Sequence, residues 1–475
     1  MAESMNQTKL ITLLKSLDKR EMLAFKKYVE SPFFNVNREI ISFLNTVIHF
    51  HKKDTAQIRE LHRKHHKNNR ISLQTTRYLM TDLTRLLEGF IIHRELQRDP
   101  WLQQTLLLKG FYKRRADKYF GILHHQILTK QQANAYRDNR YAENRYKLAE
   151  LSYEFYSIRD NRSADNDLQD LSDQLDHFYM GTKLKYACEM MNRTNILMTD
   201  YQQPFLPTLL VYLGKNTAAP VPSIAVYQQI YKTLASPEQE SNFKSLMKTI
   251  QQHFEKFSLR ELRDIYAFAQ NYCIRKVNTG RTVYLRELFN IYNFILENKI
   301  IFDNDELSHA EFKNICTIAL RCEELKWTEN FIEKYASSLR ADLRKNSVNY
   351  NMARVHFSKK EYRTALKLLT GTEFTDVYYH LDAKSLLLKV YYETSDIEPL
   401  LSLFSSFRIY LKRSKLISEY QRTIYTNQIR FVKKLIKVNV TSKKALAKLT
   451  DEVEKNKEIA DYGWVLEKTT ELSNF

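Results

Sequence analysis

Apolar positions in the C-terminal half of the chain recur every 35 residues. Trp327, Tyr362 and Ile397 are matched, as are Leu320, Val355 and Val390, then Cys322, Phe357 and Tyr392, then Phe331, Leu366 and Leu401. A period near 34 residues signals stacked helix-turn-helix units, each too small to bury its apolar face alone. Upstream, apolar residues return every three or four positions. This predicts helices over 37–51, 55–66, 71–98, 101–112, 115–132, 138–159 and 167–199. Helix pairs then follow over 223–234 with 238–256 and over 258–277 with 281–298, the repeat units occupy 306–412, and two or three helices close the chain. Asp18-x-x-Glu21 reads as a capping box opening a helix that ends before Pro32, and Asn278-Thr279-Gly280 as a helix stop. Pro204, Pro207, Pro220 and Pro222 interrupt the pattern over 204–222, which reads either as a hinge or, the preferred reading, as an irregular connection inside one superhelix.

Composition sharpens this reading. Eight glycines and eight prolines in 475 residues leave little material for sheets joined by tight turns or for phosphate-cradling loops. The expected fold is all-α: an α-solenoid of stacked antiparallel helix pairs over 161–475, preceded by a basic helical N-terminal region over 1–160. Cys188, Cys273, Cys316 and Cys322 form no CxxC pair and read as buried apolar residues in a reducing compartment. No secretory leader and no apolar stretch of about 20 residues is visible, so the expected location is cytoplasmic, with no membrane span.

The formal charge of +19 is uneven. Residues 1–160 hold 29 Lys/Arg against 17 Asp/Glu and residues 401–475 hold 15 against 8, while the middle balances. The strongest patch runs from Arg408 to Lys448, where Glu419 is the single acid. Within it Arg430, Lys433, Lys434 and Lys437 follow i, i+3, i+4, i+7 spacing on one helical face, and Lys444 continues the theme. A second patch contains Arg63, Lys64 and Lys67. Such patches attract acidic partner surfaces or phosphate backbones, and also serve as solvated helix faces.

Candidate chemistry is sparse. No Walker loop, dinucleotide fingerprint, nucleophile elbow or HExxH motif appears. His62, His65 and His66 share a helical face, but Arg63, Lys64 and Lys67 surround them and no acidic or cysteine partner for them is identified nearby, so no metal and no cofactor are assigned. Nothing points to an enzyme.

Asn351-Met352-Ala353 through Phe357, then Tyr362 and Ala365, resembles a tetratricopeptide repeat. Ala353 and Ala365 match its small-residue positions and Tyr362 its second-helix aromatic, while Lys360 stands where the turn often has glycine and His356 replaces a usual aromatic. Glu30-Ser31-Pro32-Phe33-Phe34-Asn35, Asn271-Tyr272-Cys273-Ile274-Arg275 and Phe407-Arg408-Ile409-Tyr410-Leu411-Lys412-Arg413 are similar to segments of a family of uncharacterised helical-repeat proteins typical of Bacteroidetes. That resemblance implies a bacterial cytosolic solenoid and supplies no site residues. The resulting expectation is a non-catalytic scaffold that holds a protein or peptide ligand on a solenoid surface, with Asn271, Arg275, Tyr350 and Asn351 as candidate contacts. The alternative is nucleic-acid association through phosphate backbones at the basic ends.

Overall fold

A computed structural model of the chain describes residues 8–50, 58–66, 72–157, 165–197, 200–215, 221–372, 376–438 and 442–473. Among these there are twenty-three α-helices and no β-strand. Two compact units are present, Met1–Asn134 with Arg140–Phe178, and Ala135–Asn139 with Tyr179–Phe475.

In the first unit α1 (Lys9–Ser16), α2 (Lys19–Glu30), α3 (Arg38–Phe50) and α4 (Ile58–His65) all pack on α5 (Leu73–Arg98). Phe25, Phe43, Leu61, Leu83 and Leu87 are fully buried between them. Each such side chain contributes about 1.5–3 kcal/mol of burial. The predicted capping box opens α2: the Glu21 N–H donates to Asp18 Oδ1 at 2.7 Å, and Asp18 N–H donates to the Glu21 carboxylate at 3.3 Å. α6 (Pro100–Lys113), α7 (Asp117–Ala133) and α8 (Asn139–Ser157) share a smaller core in which Phe120 stacks on Phe155 at 3.7 Å. α9 (Asp165–Leu197) contributes to both units.

The second unit continues with α10 (Leu206–Lys215), α11 (Pro222–Ala235), α12 (Glu240–His253), α13 (Leu259–Asn278), α14 (Val283–Glu297), α15 (His309–Arg321) and α16 (Leu325–Tyr335). It ends with α17 (Ala341–Ser358), α18 (Tyr362–Thr370), α19 (Val377–Glu393), α20 (Ile397–Arg413), α21 (Glu419–Leu435), α22 (Lys443–Lys455) and α23 (Tyr462–Ser473). Adjacent helices pair (α11 with α12, α13 with α14, α15 with α16, α17 with α18, α19 with α20), and α15, α17, α19 and α21 lie side by side in succession. This is a solenoid-like arrangement. The proline-rich interruption sits at helix starts: Pro207 is the second residue of α10 and Pro222 the first of α11, where a missing N–H costs no helical bond. Leu206 and Leu209 of α10 join the core that runs from Leu184 to Val355, so the chain is not divided there. Pro220 lies outside the described residues.

The turns inside the pairs fix the true repeat. Glu323, Lys360 and Ser395 each follow a first helix and adopt the left-handed region, with φ of 63°, 64° and 58°. At each turn the residue after it donates its N–H five residues back: Glu324 to Ala319, Glu361 to His356 and Asp396 to Tyr391, at 2.9, 2.8 and 3.0 Å. The left-handed residue itself donates three back, to Leu320, Phe357 and Tyr392. This double bond closes the helix C-terminus. From Lys360 to Ser395 the repeat is 395 − 360 = 35 residues, but from Glu323 to Lys360 it is 360 − 323 = 37. Leu325, not Trp327, is therefore the counterpart of Tyr362 and Ile397, since these three open α16, α18 and α20. Apolar matching missed the shift because both Leu325 and Trp327 are apolar, and Trp327 fills space of its own against Phe289 and Phe331.

A cationic groove as candidate functional site

α21 and α22 follow one another in the chain and are linked by the Lys434–Glu452 ion pair. The groove between them is open to solvent, amounts to about 350 Å³ and is lined by Lys433, Lys434, Lys437, Val438, Ala445, Lys448, Leu449 and Glu452. α21 begins with a second capping box, Ser418 with Gln421, and ends at Leu435. The predicted four-residue stripe is therefore cut short. Arg430, Lys433 and Lys434 are helical, whereas Lys437 lies in the turn beyond, where Val438 N–H bonds back to the Lys434 carbonyl at 2.8 Å. That turn nevertheless delivers Lys437 to the same groove, and it lays Val438 beside Leu449 and Ala445 as an apolar floor.

One acid answers these cations. Lys434 pairs with Glu452, whose carboxyl is held below its ordinary value by that bond and by the nearby charges of Lys434, Lys448 and Arg430. Lys433, Lys437, Lys444, Lys448 and Arg430 have no carboxylate partner among the described residues. Burial, together with repulsion from Arg408 and Lys437, holds the Lys433 ammonium below the ordinary lysine value. Its Nζ lies 5.1 Å from the Phe404 ring and the Arg430 guanidinium 4.7 Å from the Phe431 ring. Both rings are buried, so the groove presents no aromatic platform on which a base could stack. An unpaired cation cluster around an apolar floor attracts an anionic ligand that also has apolar surface to bury.

The other sequence candidates fall elsewhere. Arg63 and Lys64 are exposed on α4, and Lys67 lies outside the described residues. Asn271 and Arg275 lie half-buried one turn apart on α13. Tyr350 and Asn351 are not surface contacts: they are 5% and 0% exposed. Both sit on the side of α17 packed into the stack, Tyr350 edge-on to Tyr379 at 5.2 Å and Asn351 Nδ2 donating to the Ser347 carbonyl at 2.8 Å. Cys188, Cys273 and Cys316 are buried, and burial pushes each thiol well above its usual value, which keeps them from acting as thiolate nucleophiles.

A polar ladder on the first helices escaped the sequence reading. Arg354 of α17 donates to Thr317 Oγ1 of α15 at 2.6 Å, Lys313 of α15 pairs with Asp382 of α19 at 2.7 Å, and Tyr425 of α21 donates to the same carboxylate at 2.6 Å. Lys389 of α19 pairs with Asp461 at 2.7 Å. Thr317, Arg354 and Lys389 occupy one repeat position, spaced 37 and then 35 residues. A search at the corrected spacing would have found that polar column. The ladder stitches successive repeats together with groups that are mostly satisfied. No family model, no curated protein and no solved structure matches this chain, so its function rests on the geometry of these sites.

Proposed function

We propose that this chain is a non-catalytic interaction protein whose C-terminal groove receives an acidic, amphipathic segment of a partner protein. The observation that carries this reading is the clustering of unpaired Lys433, Lys437 and Lys448 around the apolar floor of Val438, Ala445 and Leu449. Carboxylates on the ligand relieve the mutual repulsion of the lysines, and its apolar side chains cover the floor, the division of labour of helix-in-groove recognition. The exposed Lys434–Glu452 pair contributes at most about 1 kcal/mol and opens at little cost. Phosphate backbones are the second reading, supported by the same lysines together with Arg408 and Arg430.

The two readings separate by anisotropy of a labelled helical peptide carrying Glu and Leu on opposite faces, compared with an oligonucleotide of equal charge. On the protein-partner reading the peptide binds in moderate salt. Its affinity then falls about tenfold or more with Lys437→Glu and Lys448→Glu together, and again with Ala445→Glu, which puts a charge on the floor. Preference for the oligonucleotide, with a steep salt slope and indifference to Ala445→Glu, supports the phosphate reading instead. Binding of neither probe removes the groove from consideration.

A further inference from the structure

The first unit holds a second arrangement, remote in sequence from the groove. On α3, Glu39, Ser42 and Thr46 follow i, i+3, i+7 spacing and so share one face. His62, His65 and His66 fall within about 100° of one another around the helix axis, while Arg63 and Lys64 are exposed. The two faces meet. Glu39 Oε1 lies 3.9 Å from His65 Nε2 and 4.0 Å from His66 Nδ1, and one ligand atom from each of the three residues falls within 4.8 Å of the others. The acid comes from the preceding helix, and Arg63 and Lys64 are exposed on α4.

The hydrogen bonding leaves a gap between these groups that a cation suits. The Thr46 hydroxyl lies 3.2 Å from the Ser42 carbonyl, to which it donates, and 3.3 Å from His65 Nδ1. With its proton on Nδ1, His65 turns the Nε2 lone pair toward the Glu39 carboxylate, acceptor against acceptor, an opposition that a cation between them relieves. His66 is almost wholly buried with its Nδ1 toward Glu39, and its Nε2 has no hydrogen-bond partner among the described residues. The Thr46 bond to His65 is the kind of outer contact that orients a metal-ligating imidazole, and the Phe43 ring holds His65 edge-on at 5.0 Å.

We propose that Glu39, His65 and His66 form a binding site for a divalent transition metal of the zinc class, which fastens α4 to α3. Two imidazoles and a carboxylate are a borderline-soft donor set that suits Zn²⁺ and leaves a coordination position for water. Glu39 is exposed, which gives an ion a path in.

The test uses the full-length, untagged protein stripped with a chelator, titrated with Zn²⁺ against a chromophoric competitor and with Co²⁺ followed by its visible absorption. The expected result is one tight equivalent and the intense Co²⁺ bands of a low-coordinate site. Glu39→Gln, an exposed near-isosteric change whose helical content is checked by circular dichroism, should weaken that equivalent about 100-fold or more. Thr46→Val should weaken it about 10- to 100-fold, the range for lost outer-shell partners. Zn²⁺ should also raise the Tm of the parent and not of Glu39→Gln. No tight equivalent in the parent protein, or one unchanged by Glu39→Gln, overturns the proposal. His66→Ala is kept as a secondary variant because removing a buried ring also tests packing.

Discussion

Glycine at the three left-handed turns should stabilise the protein, and only one repeat register makes that so. Glu323, Lys360 and Ser395 hold φ near +60°, which costs a residue with a β-carbon about 1–2 kcal/mol. Glycine removes that strain but loses about 0.5–1 kcal/mol of chain entropy on folding. Among the described residues none of the three side chains has a hydrogen-bond or ion-pair partner, and all three are exposed, so little else is given up. The net expectation is about 0.5–1 kcal/mol for each of Glu323→Gly, Lys360→Gly and Ser395→Gly. The three lie in separate turns and should be nearly additive, about 1.5–3 kcal/mol together. Urea unfolding followed by far-UV circular dichroism reads this as a higher midpoint at unchanged m. Hydrogen exchange at α15 to α20 localises the gain, since a repeat array need not unfold in one step. The control is Leu325→Gly. A uniform 35-residue period would place the first left-handed residue there, because 360 − 35 = 325. In the structure Leu325 opens α16 and is half-buried, so its replacement should destabilise by about 1 kcal/mol or more. A stabilising Leu325→Gly, or a destabilising Glu323→Gly, would refute the 37-residue register.

Asp382→Asn should cost about 1–3 kcal/mol, read by the same unfolding assay, because one carboxylate serves both Lys313 and Tyr425. Combining it with Lys313→Met should recover part of that loss if the pair is coupled. Gly181→Ala should destabilise by about 1–3 kcal/mol, since a methyl there would collide with the buried Asn139 carboxamide and press on Ser223 Oγ. Glu311 is raised above the ordinary carboxylate value by burial, against a smaller lowering from its bond with Tyr292. The stabilising contribution of such a group is complete below pH 4.5 and is lost as pH rises through the folded value. Glu311→Gln should therefore flatten the stability curve on that rising limb. A parent and variant with parallel curves would show that Glu311 titrates normally.

The sequence by itself determined the all-helical class, most helix boundaries and the chemistry of the basic patch. These depend on local rules: apolar recurrence at three and four residues, side-chain caps such as Asp18 with Glu21, and stops such as Gly280. It also carried the repeat, though with the first unit two residues short, because apolar columns register burial and not the turn that ends each helix. Tertiary structure alone decided three things. It placed Tyr350 and Asn351 inside the stack, since which side of a first helix faces its neighbours depends on how successive pairs rotate. It made a groove from Lys433, Lys437 and Lys448 by folding the turn after Leu435 back toward α22, where linear spacing had read one continuous helical stripe. It brought Glu39 against His65 and His66 across 26 residues of chain (65 − 39), a juxtaposition set by the packing of α3 on α4 rather than by any spacing along the sequence.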